Sequence, residues 1–186
     1  KQNIRTCHIP VIILSAKSEI KDQMEGLQMG ADDYIPKPFS LAILTTKIQN
    51  MMRTRRRMIE RYSKSLEVEP EKITFNAMDE ALLKRAVAIV EKNMDNIEFS
   101  TDEFAREMNM SRSNLHLKLK AITGESTIDF IRKIRFNEAA KLLKDGRYTV
   151  AEVSTMVGFN TPSYFATSFK KYFGCLPTEY IKKAKG

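Results

Sequence analysis

Cysteine and histidine side chains, which often serve as nucleophiles, bases or metal ligands, occur at four positions in this sequence: Cys7, His8, His116 and Cys175. A metal site needs such ligands at short spacing, as in CxxC or HxxxH, and neither pattern occurs. A catalytic site needs a nucleophile with a base in reach, and two isolated histidines offer no such arrangement. The sequence therefore predicts a protein that is not an enzyme and holds no metal or other cofactor. Two cysteines do not make a disulfide framework, which favours reduced thiols and a cytoplasmic location.

The excess of basic residues lies entirely in the second part of the chain. Residues 1–110 contain 17 Lys and Arg and 17 Asp and Glu, whereas residues 111–186 contain 14 and 6, a net charge of +8. A local positive charge favours a polyanionic partner, because neutralised phosphates release their counterions. No run approaches the ~20 apolar residues of a membrane helix, and the first residues do not resemble a signal peptide.

The same basic region contains an internal repeat with a period of 49 to 50 residues. Each unit reads as a short helix, a tight turn and a longer helix, which is the pattern of a helix-turn-helix. Asn109 and Gly158 lie at the turns, where a left-handed backbone is expected. The matched positions are Phe104 with Val153, Ala105 with Ser154, Met108 with Val157, Leu115 with Phe165, Leu119 with Phe169, and Gly124 with Gly174. Two such units can enter successive major grooves ~34 Å apart on one DNA face, so we expect double-stranded DNA as a partner.

Capping residues frame the predicted helices. Asp79 is expected to cap the first of them, Ser111 the second helix of the first unit, and Ser126 or Thr127 a long linking helix that ends near Lys144. The aromatic residues of the second unit are predicted to form a core rather than to stack on bases. These residues are Phe159, Phe165, Phe169 and Phe173.

The first part of the chain has the order strand, helix, strand, helix. Residues 8–14 are a β-branched apolar run typical of a buried parallel strand, and residues 15–29 have the apolar spacing of a helix. Residues 33–35 form a second strand, and Ser40 caps a helix that continues to about Tyr62. Two strands cannot form a covered parallel sheet, so we expect the end portion of a larger domain. The chain begins with Lys rather than Met, which fits an excerpt from a longer protein.

Several segments of the second part of the chain match a known family pattern. They are residues 157–165 (VGFNTPSYF), 169–174 (FKKYFG), 110–115 (MSRSNL), 118–124 (KLKAITG) and 131–135 (IRKIR), together with Pro177 and Tyr180. Through them, about residues 79–183 resemble the DNA-binding domain of the AraC/XylS family of transcription activators. The resemblance implies two groups of base-reading residues. They are Ser113, His116 and Leu117 with the neighbouring Asn114 in the first unit, and Pro162, Ser163, Ala166 and Thr167 in the second.

This chain departs from the family at two reading positions. Family members often carry Arg where this chain has Leu117 and Thr167. Because Arg reads guanine bidentately, we expect apolar or methyl contacts here, or weaker direct readout. The candidates for phosphate contact, each with a solvated surface role as the alternative, are Arg112, Lys118, Arg135, Lys170 and Lys171.

Three segments of the first part of the chain also match a known pattern: residues 10–16 (PVIILSA), 30–34 (GADDY) and 37–39 (KPF). Through them, this part resembles the last third of a two-component receiver domain. The resemblance implies that the Ser15 hydroxyl and the Lys37 amine contact a phosphoryl group, that Tyr34 is an aromatic switch, and that the bond from Lys37 to Pro38 is cis. The phosphoacceptor aspartate of that family has no counterpart in this chain, because Asp32 and Asp33 lie elsewhere.

These patterns predict a mostly α fold of two helix-turn-helix units joined by a linking helix, with an α/β fragment of a flavodoxin-like receiver domain at the start. We expect the receiver portion at 1–62, a linker at 63–78 with a short extended piece at 73–75, and the DNA-binding domain at 79–186. The predicted function is sequence-specific transcription regulation at the output end of a hybrid two-component protein. The alternative is an interaction module in which the receiver portion dimerises and DNA binding is secondary.

The predicted architecture implies further partners. A receiver fused to such a domain resembles hybrid regulators that carry a sensor kinase in the same chain, anchored in the inner membrane. The open sheet edges predict self-association through the receiver portion.

Overall fold

The computed structural model describes residue 6 and residues 9–64, 70–73 and 77–185, and most of them are helical. The elements in chain order are β1 (Ile12–Ser15), α1 (Ile20–Gln28), β2 (Asp33–Pro36), α2 (Leu41–Lys64), α3 (Pro70–Ile73), α4 (Ala77–Lys92), α5 (Thr101–Glu107), α6 (Arg112–Thr123), α7 (Thr127–Asp145), α8 (Val150–Met156), α9 (Pro162–Phe173) and α10 (Pro177–Lys185). The predicted fold class is confirmed: helices dominate, and a small α/β fragment precedes them.

The α/β fragment is a two-stranded parallel sheet with α1 as its crossover. β1 and β2 pair in register from Ile12 with Asp33 to Ser15 with Pro36. The first strand is shorter than predicted, because it begins at Ile12 rather than at residue 8; Cys7 and His8 lie outside the described residues. Little of the apolar surface here is covered. The large apolar side chains left exposed between residues 9 and 48 are Ile9, Val11, Leu14, Ile20, Met24, Leu27, Met29, Leu41, Ile43 and Ile48.

The predicted linker contains more helix than the sequence suggested. α2 continues to Lys64, and a short helix, α3, includes Ile73, which we had expected to be extended. The prediction that Asp79 caps a helix is wrong, because α4 begins at Ala77 and Asp79 lies buried in its first turn. Tertiary contacts outweigh local propensity here, since Asp79 has an ion-pair partner in α6. Residues 65–69 and 74–76 lie outside the described residues.

The linking helix α7 contributes to two hydrophobic cores. Its first half supplies Phe130 and Ile134 to a core shared with α4, α5 and α6, and its second half supplies Phe136 and Leu143 to a core shared with α8 and α9. The helix therefore holds the two helical units at a fixed separation. The predicted core aromatics are confirmed: three are buried, and Phe173 packs half-buried against Phe169 and Tyr180.

Among the helices described, none is both long enough and apolar enough to cross a bilayer.

Candidate DNA interface

Both helical units begin with the same capping arrangement. The Ser100 hydroxyl accepts a hydrogen bond from the backbone N–H of Glu103 at 3.2 Å, and the Glu103 carboxylate accepts from the N–H of Ser100 at 3.0 Å. Thr149 and Glu152 repeat this exchange at 3.2 and 2.7 Å. Each pair satisfies N–H groups that have no partner within the helix, so α5 and α8 start at equivalent, well-defined residues.

The turns of the two units have the same backbone geometry, as the repeat predicts. Asn109 has φ of 55° and Gly158 has φ of 72°. In the first turn the N–H of Met110 donates to the carbonyl of Ala105, and in the second the N–H of Phe159 donates to the carbonyl of Ser154, both at 2.9 Å. These turns direct α6 away from α5 and α9 away from α8.

The second helix of each unit presents its first turn to solvent. Ser111 caps α6 through a hydrogen bond from the N–H of Asn114, and Thr161 caps α9 through one from the N–H of Tyr164, both at 3.3 Å. Pro162 occupies the first helical position of α9, where its missing N–H costs nothing. Serine and threonine at these positions thus fix where each candidate recognition helix begins.

The side chains that the family resemblance assigns to base reading lie on one end of each helix. In α6, Leu117 is 63% exposed, Ser113 is exposed, and Asn114 and His116 are half-buried. In α9 the hydroxyl of Thr167 donates to the carbonyl of Ser163 at 2.9 Å. Of the α9 positions, Pro162, Ser163 and Thr167 are exposed and Ala166 is half-buried.

Two of the five predicted phosphate contacts are wrong. Lys118 is 2% exposed and its ammonium lies 2.7 Å from the Asp79 carboxylate, so it cannot reach a ligand at the surface. Arg135 is also buried, and burial lowers the pKa of its guanidinium. The other three, Arg112, Lys170 and Lys171, are exposed; Arg112 forms an ion pair with Asp102 at 3.5 Å.

Arg135 instead joins three segments of the backbone. Its guanidinium donates to the carbonyl of Gly158 at 2.9 Å, to that of Asn96 at 2.7 Å and to that of Asn93 at 3.3 Å. A Cβ added to Gly158 would lie 2.7 Å from the Arg135 guanidinium carbon and 2.5 Å from the carbonyl oxygen of Met94. The turn of the second unit is therefore fastened directly to the end of α4 and the loop that follows it.

The structure adds two surface side chains that the sequence did not single out. Tyr164, which is exposed on α9, accepts a hydrogen bond from Arg132 of α7 at 2.8 Å. Both residues line a cleft of about 710 Å³ between α7 and α9, together with Lys171. The sequence shows that residues 131–135 (IRKIR) contain three cations. It does not show that Arg132 faces Tyr164 of the second unit whereas Arg135 is buried.

The receiver-like residues lie at the ends of the two strands. Ser15 ends β1, and its hydroxyl accepts from the N–H of Lys17 at 3.2 Å. Tyr34 is buried and its hydroxyl donates to the carbonyl of Lys17 at 2.9 Å. Lys37 is exposed, and its bond to Pro38 is cis, as predicted. Asp33 is held by Lys47 at 2.7 Å.

Two segments of the chain match known protein families. Residues 104–183 match a helix-turn-helix domain family, and residues 2–49 match the response regulator receiver domain family. A protein of Formosa agariphila named histidine kinase P4 is 39% identical over 180 residues. The match covers 97% of this chain, and the chain spans 13% of the length of that relative.

Solved structures resemble the helical part. The C-terminal domain of AraT, a response regulator from Geobacillus stearothermophilus, is 30% identical, with a TM-score of 0.52. The match covers 55% of this chain and 84% of the AraT chain. A transcriptional regulator from Chromobacterium violaceum, described as having an AraC-type DNA-binding domain, is 25% identical with a TM-score of 0.53. That match covers 59% of this chain and 96% of the other.

Proposed function

We propose that this chain binds DNA sequence-specifically and regulates transcription. Residues 104–183 are an AraC-type helix-turn-helix domain, and residues 2–49 are receiver-domain sequence. One observation carries the proposal: two units with the same caps and turns are fixed to one linking helix, and each presents the first turn of its second helix to solvent. Such a pair can occupy successive major grooves ~34 Å apart without a second subunit.

In this proposal α6 reads bases through Ser113, Asn114, His116 and Leu117, and α9 reads them through Pro162, Ser163, Ala166 and Thr167. Leu117 can make an apolar contact because its side chain is 63% exposed, and a thymine methyl group is a suitable partner. Arg112, Lys170 and Lys171 contact phosphates, and Arg132 and Tyr164 are added to this group because both line the cleft beside α9.

Selection of bound duplexes from a random pool, performed with the 186-residue chain at physiological salt, tests the function. We expect one motif with two blocks of preferred bases separated by about one helical turn. Recovery of no motif, or equal binding to every duplex, would contradict sequence-specific recognition.

A pair of variants then separates base readout from phosphate contact. His116→Ala should relax the preference at one base position, with a loss of discrimination of about 1–3 kcal/mol. Lys170→Ala should weaken binding to all sequences evenly and reduce the salt dependence by about one counterion. An even loss for His116→Ala would instead assign His116 to the phosphate backbone.

The regulatory setting is a two-component phosphorelay. The relative from Formosa agariphila is named a histidine kinase, which supports a sensor kinase in the same full-length protein, with the DNA-binding portion in the cytoplasm. The phosphoacceptor then lies in a part of the receiver domain that this chain does not contain. In the full-length protein, phosphorylation should change the affinity for the selected duplex, whereas an unchanged affinity would count against this setting.

We also propose self-association through the receiver portion. The observation in its favour is the group of exposed apolar side chains around β1 and β2, which pair only with each other in the part of the chain that is described. Light scattering at micromolar concentration should give a mass above 21.4 kDa. A clean monomer would contradict this second proposal and leave DNA recognition untouched.

A further inference from the structure

The second half of α2 packs against the first helix-turn-helix unit. The guanidinium of Arg55 donates to the carbonyl of Ala121, near the end of α6, at 2.8 Å. One turn later Ile59 lies against Gly124, the residue that ends α6. Tyr62, two residues from the end of α2, is 1% exposed and belongs to the core of that unit. A helix that begins in the receiver-like fragment thus ends inside the DNA-binding part.

Gly124 shows how close the two elements are. Its φ is +80°, and a Cβ added there would lie 2.6 Å from the Cγ2 atom of Ile59. The equivalent residue of the second unit, Gly174, has φ of +76° and would meet nothing within 4 Å. The same helix-ending glycine therefore has a second role in the first unit only, because it makes room for α2.

Lys133 of the linking helix holds the end of α2. Its side chain is 1% exposed, and its ammonium donates to the carbonyl of Tyr62 at 2.6 Å and to the carboxylate of Glu125 at 3.2 Å. It also lies 3.6 Å from the centre of the Tyr62 ring. The carbonyl of Tyr62 is one of the last four of α2, which have no partner within the helix. The Lys133 ammonium therefore caps the helix and also interacts favourably with the negative end of the helix dipole. Burial lowers the pKa of Lys133, and Glu125 opposes that shift.

The other end of α2 is fastened to the sheet. The ammonium of Lys47 lies 2.9 and 2.7 Å from the two carboxylate oxygens of Asp33, the first residue of β2. Both attachments lie on one uninterrupted helix, because α2 has 24 residues and is about 36 Å long. A displacement at its first turns is therefore transmitted to α6 by a stiff element rather than absorbed by a flexible linker.

We propose that α2 sets the position of recognition helix α6, with Ile59 and Lys133 as positioning residues, and that the receiver region controls DNA binding through this helix. The inference rests on the proposed function. Arg55 and Ile59 contact α6 and the residue that ends it, and Tyr62 packs in the core of the first unit. Disturbing α2 at Ile59 therefore alters the bases read by α6 and leaves those read by α9 unchanged.

The test compares two substitutions on α2 in the 186-residue chain. Ile59→Asp places a charge against Gly124, whereas Met52→Asp places the same charge on an exposed part of the same helix. Affinities are measured by fluorescence anisotropy for the selected duplex and for duplexes altered in either block of the motif. We expect Ile59→Asp to weaken binding about 5- to 20-fold, a usual range for coupled sites, and to lose the preferences in the α6 block alone. Met52→Asp should bind as the unsubstituted chain does.

Two glycine variants provide the second test. Gly124→Ala and Gly174→Ala impose the same backbone strain, but only the first pushes on Ile59. Gly124→Ala should reduce the preferences in the α6 block more than Gly174→Ala reduces those in the α9 block, and adding Ile59→Ala should restore them in part.

Equal affinities for Ile59→Asp and Met52→Asp, or an even loss over both blocks, would overturn the positioning role. If the unsubstituted chain selects a motif and Ile59→Asp retains all of its preferences, the coupling fails and the proposed function stands. If the unsubstituted chain selects no motif, both fail.

Discussion

The buried ion pair between Lys118 and Asp79 gives the sharpest test of how this fold is held together. The sequence suggested that Lys118 contacts phosphate, whereas the structure places its side chain at 2% exposure, 2.7 Å from an Asp79 carboxylate oxygen at 5%. We predict that Lys118→Met, which keeps most of the length of the side chain and removes the charge, destabilises the protein by about 3–5 kcal/mol.

The magnitude follows from what the substitution leaves behind. At 2.7 Å the gross attraction of two unit charges is roughly 6 kcal/mol at an effective dielectric constant of about 20. Taking both ions out of water costs several kcal/mol each, so the net contribution of the intact pair is near zero. Lys118→Met removes the attraction but leaves the Asp79 carboxylate buried. The cost is a large share of the ~5–15 kcal/mol that stabilises an ordinary domain.

Urea unfolding followed by circular dichroism at 222 nm measures this loss. Lys120→Met, at an exposed lysine of the same helix, is the control and should change the free energy of unfolding by less than about 0.5 kcal/mol. Adding Asp79→Asn to Lys118→Met should bring stability back to within about 1–2 kcal/mol of the parent, because the buried carboxylate that lost Lys118 is replaced by a neutral amide. A loss below about 1 kcal/mol for Lys118→Met, with a lower salt dependence of DNA binding, would refute the buried pair and restore the phosphate contact.

Three further predictions concern the caps and turns. Gly158→Ala should destabilise by about 2–5 kcal/mol, because strain at positive φ adds to collisions with neighbouring atoms, whereas Gly174→Ala should cost only about 1–2 kcal/mol; urea midpoints compare them. Thr161→Ala should cost about 1 kcal/mol by removing the cap of α9, and Ser163→Ala, on the same turn, should cost much less. The backbone N–H of Thr149, and also its hydroxyl, donate hydrogen bonds to the Glu152 carboxylate and hold the pKa of Glu152 below its ordinary value of 4.5. The stability that it contributes is therefore present above pH 4.5 and is lost as pH falls through the lower folded-state pKa. Glu152→Gln should therefore make the free energy of unfolding depend less on pH in the acid range. An unchanged pH dependence would contradict the lowered pKa of Glu152.

Much of the helical part was predictable because its determinants are local. Ser111 is recognisable as a cap because its hydroxyl lies three residues before the backbone N–H of Asn114, which has no partner within the helix. The turns are recognisable because a left-handed backbone admits few residues besides asparagine and glycine, which occur there as Asn109 and Gly158. The repeat added a check, since each unit predicted the turn and core of the other. The linker was less predictable, because α3 and the start of α4 are decided by their packing rather than by their caps.

The sequence by itself determined that this chain has two helix-turn-helix units, a basic second part and a receiver-like beginning, because spacing, caps and charge are properties of neighbouring residues. Only the tertiary structure decided which cations remain available to DNA. Lys118, Lys133 and Arg135 are all basic residues on helices of the basic region, yet most of their partners are distant in the chain. The partner of Lys118 lies 39 residues away, those of Lys133 lie 8 and 71 residues away, and those of Arg135 lie 23 to 42 residues away. Whether a charge meets solvent or a buried carboxylate or carbonyl depends on which helix packs above it, and no local pattern records that. The contact of α2 with α6 has the same origin, since it depends on a glycine at the end of α6 matching an isoleucine of α2.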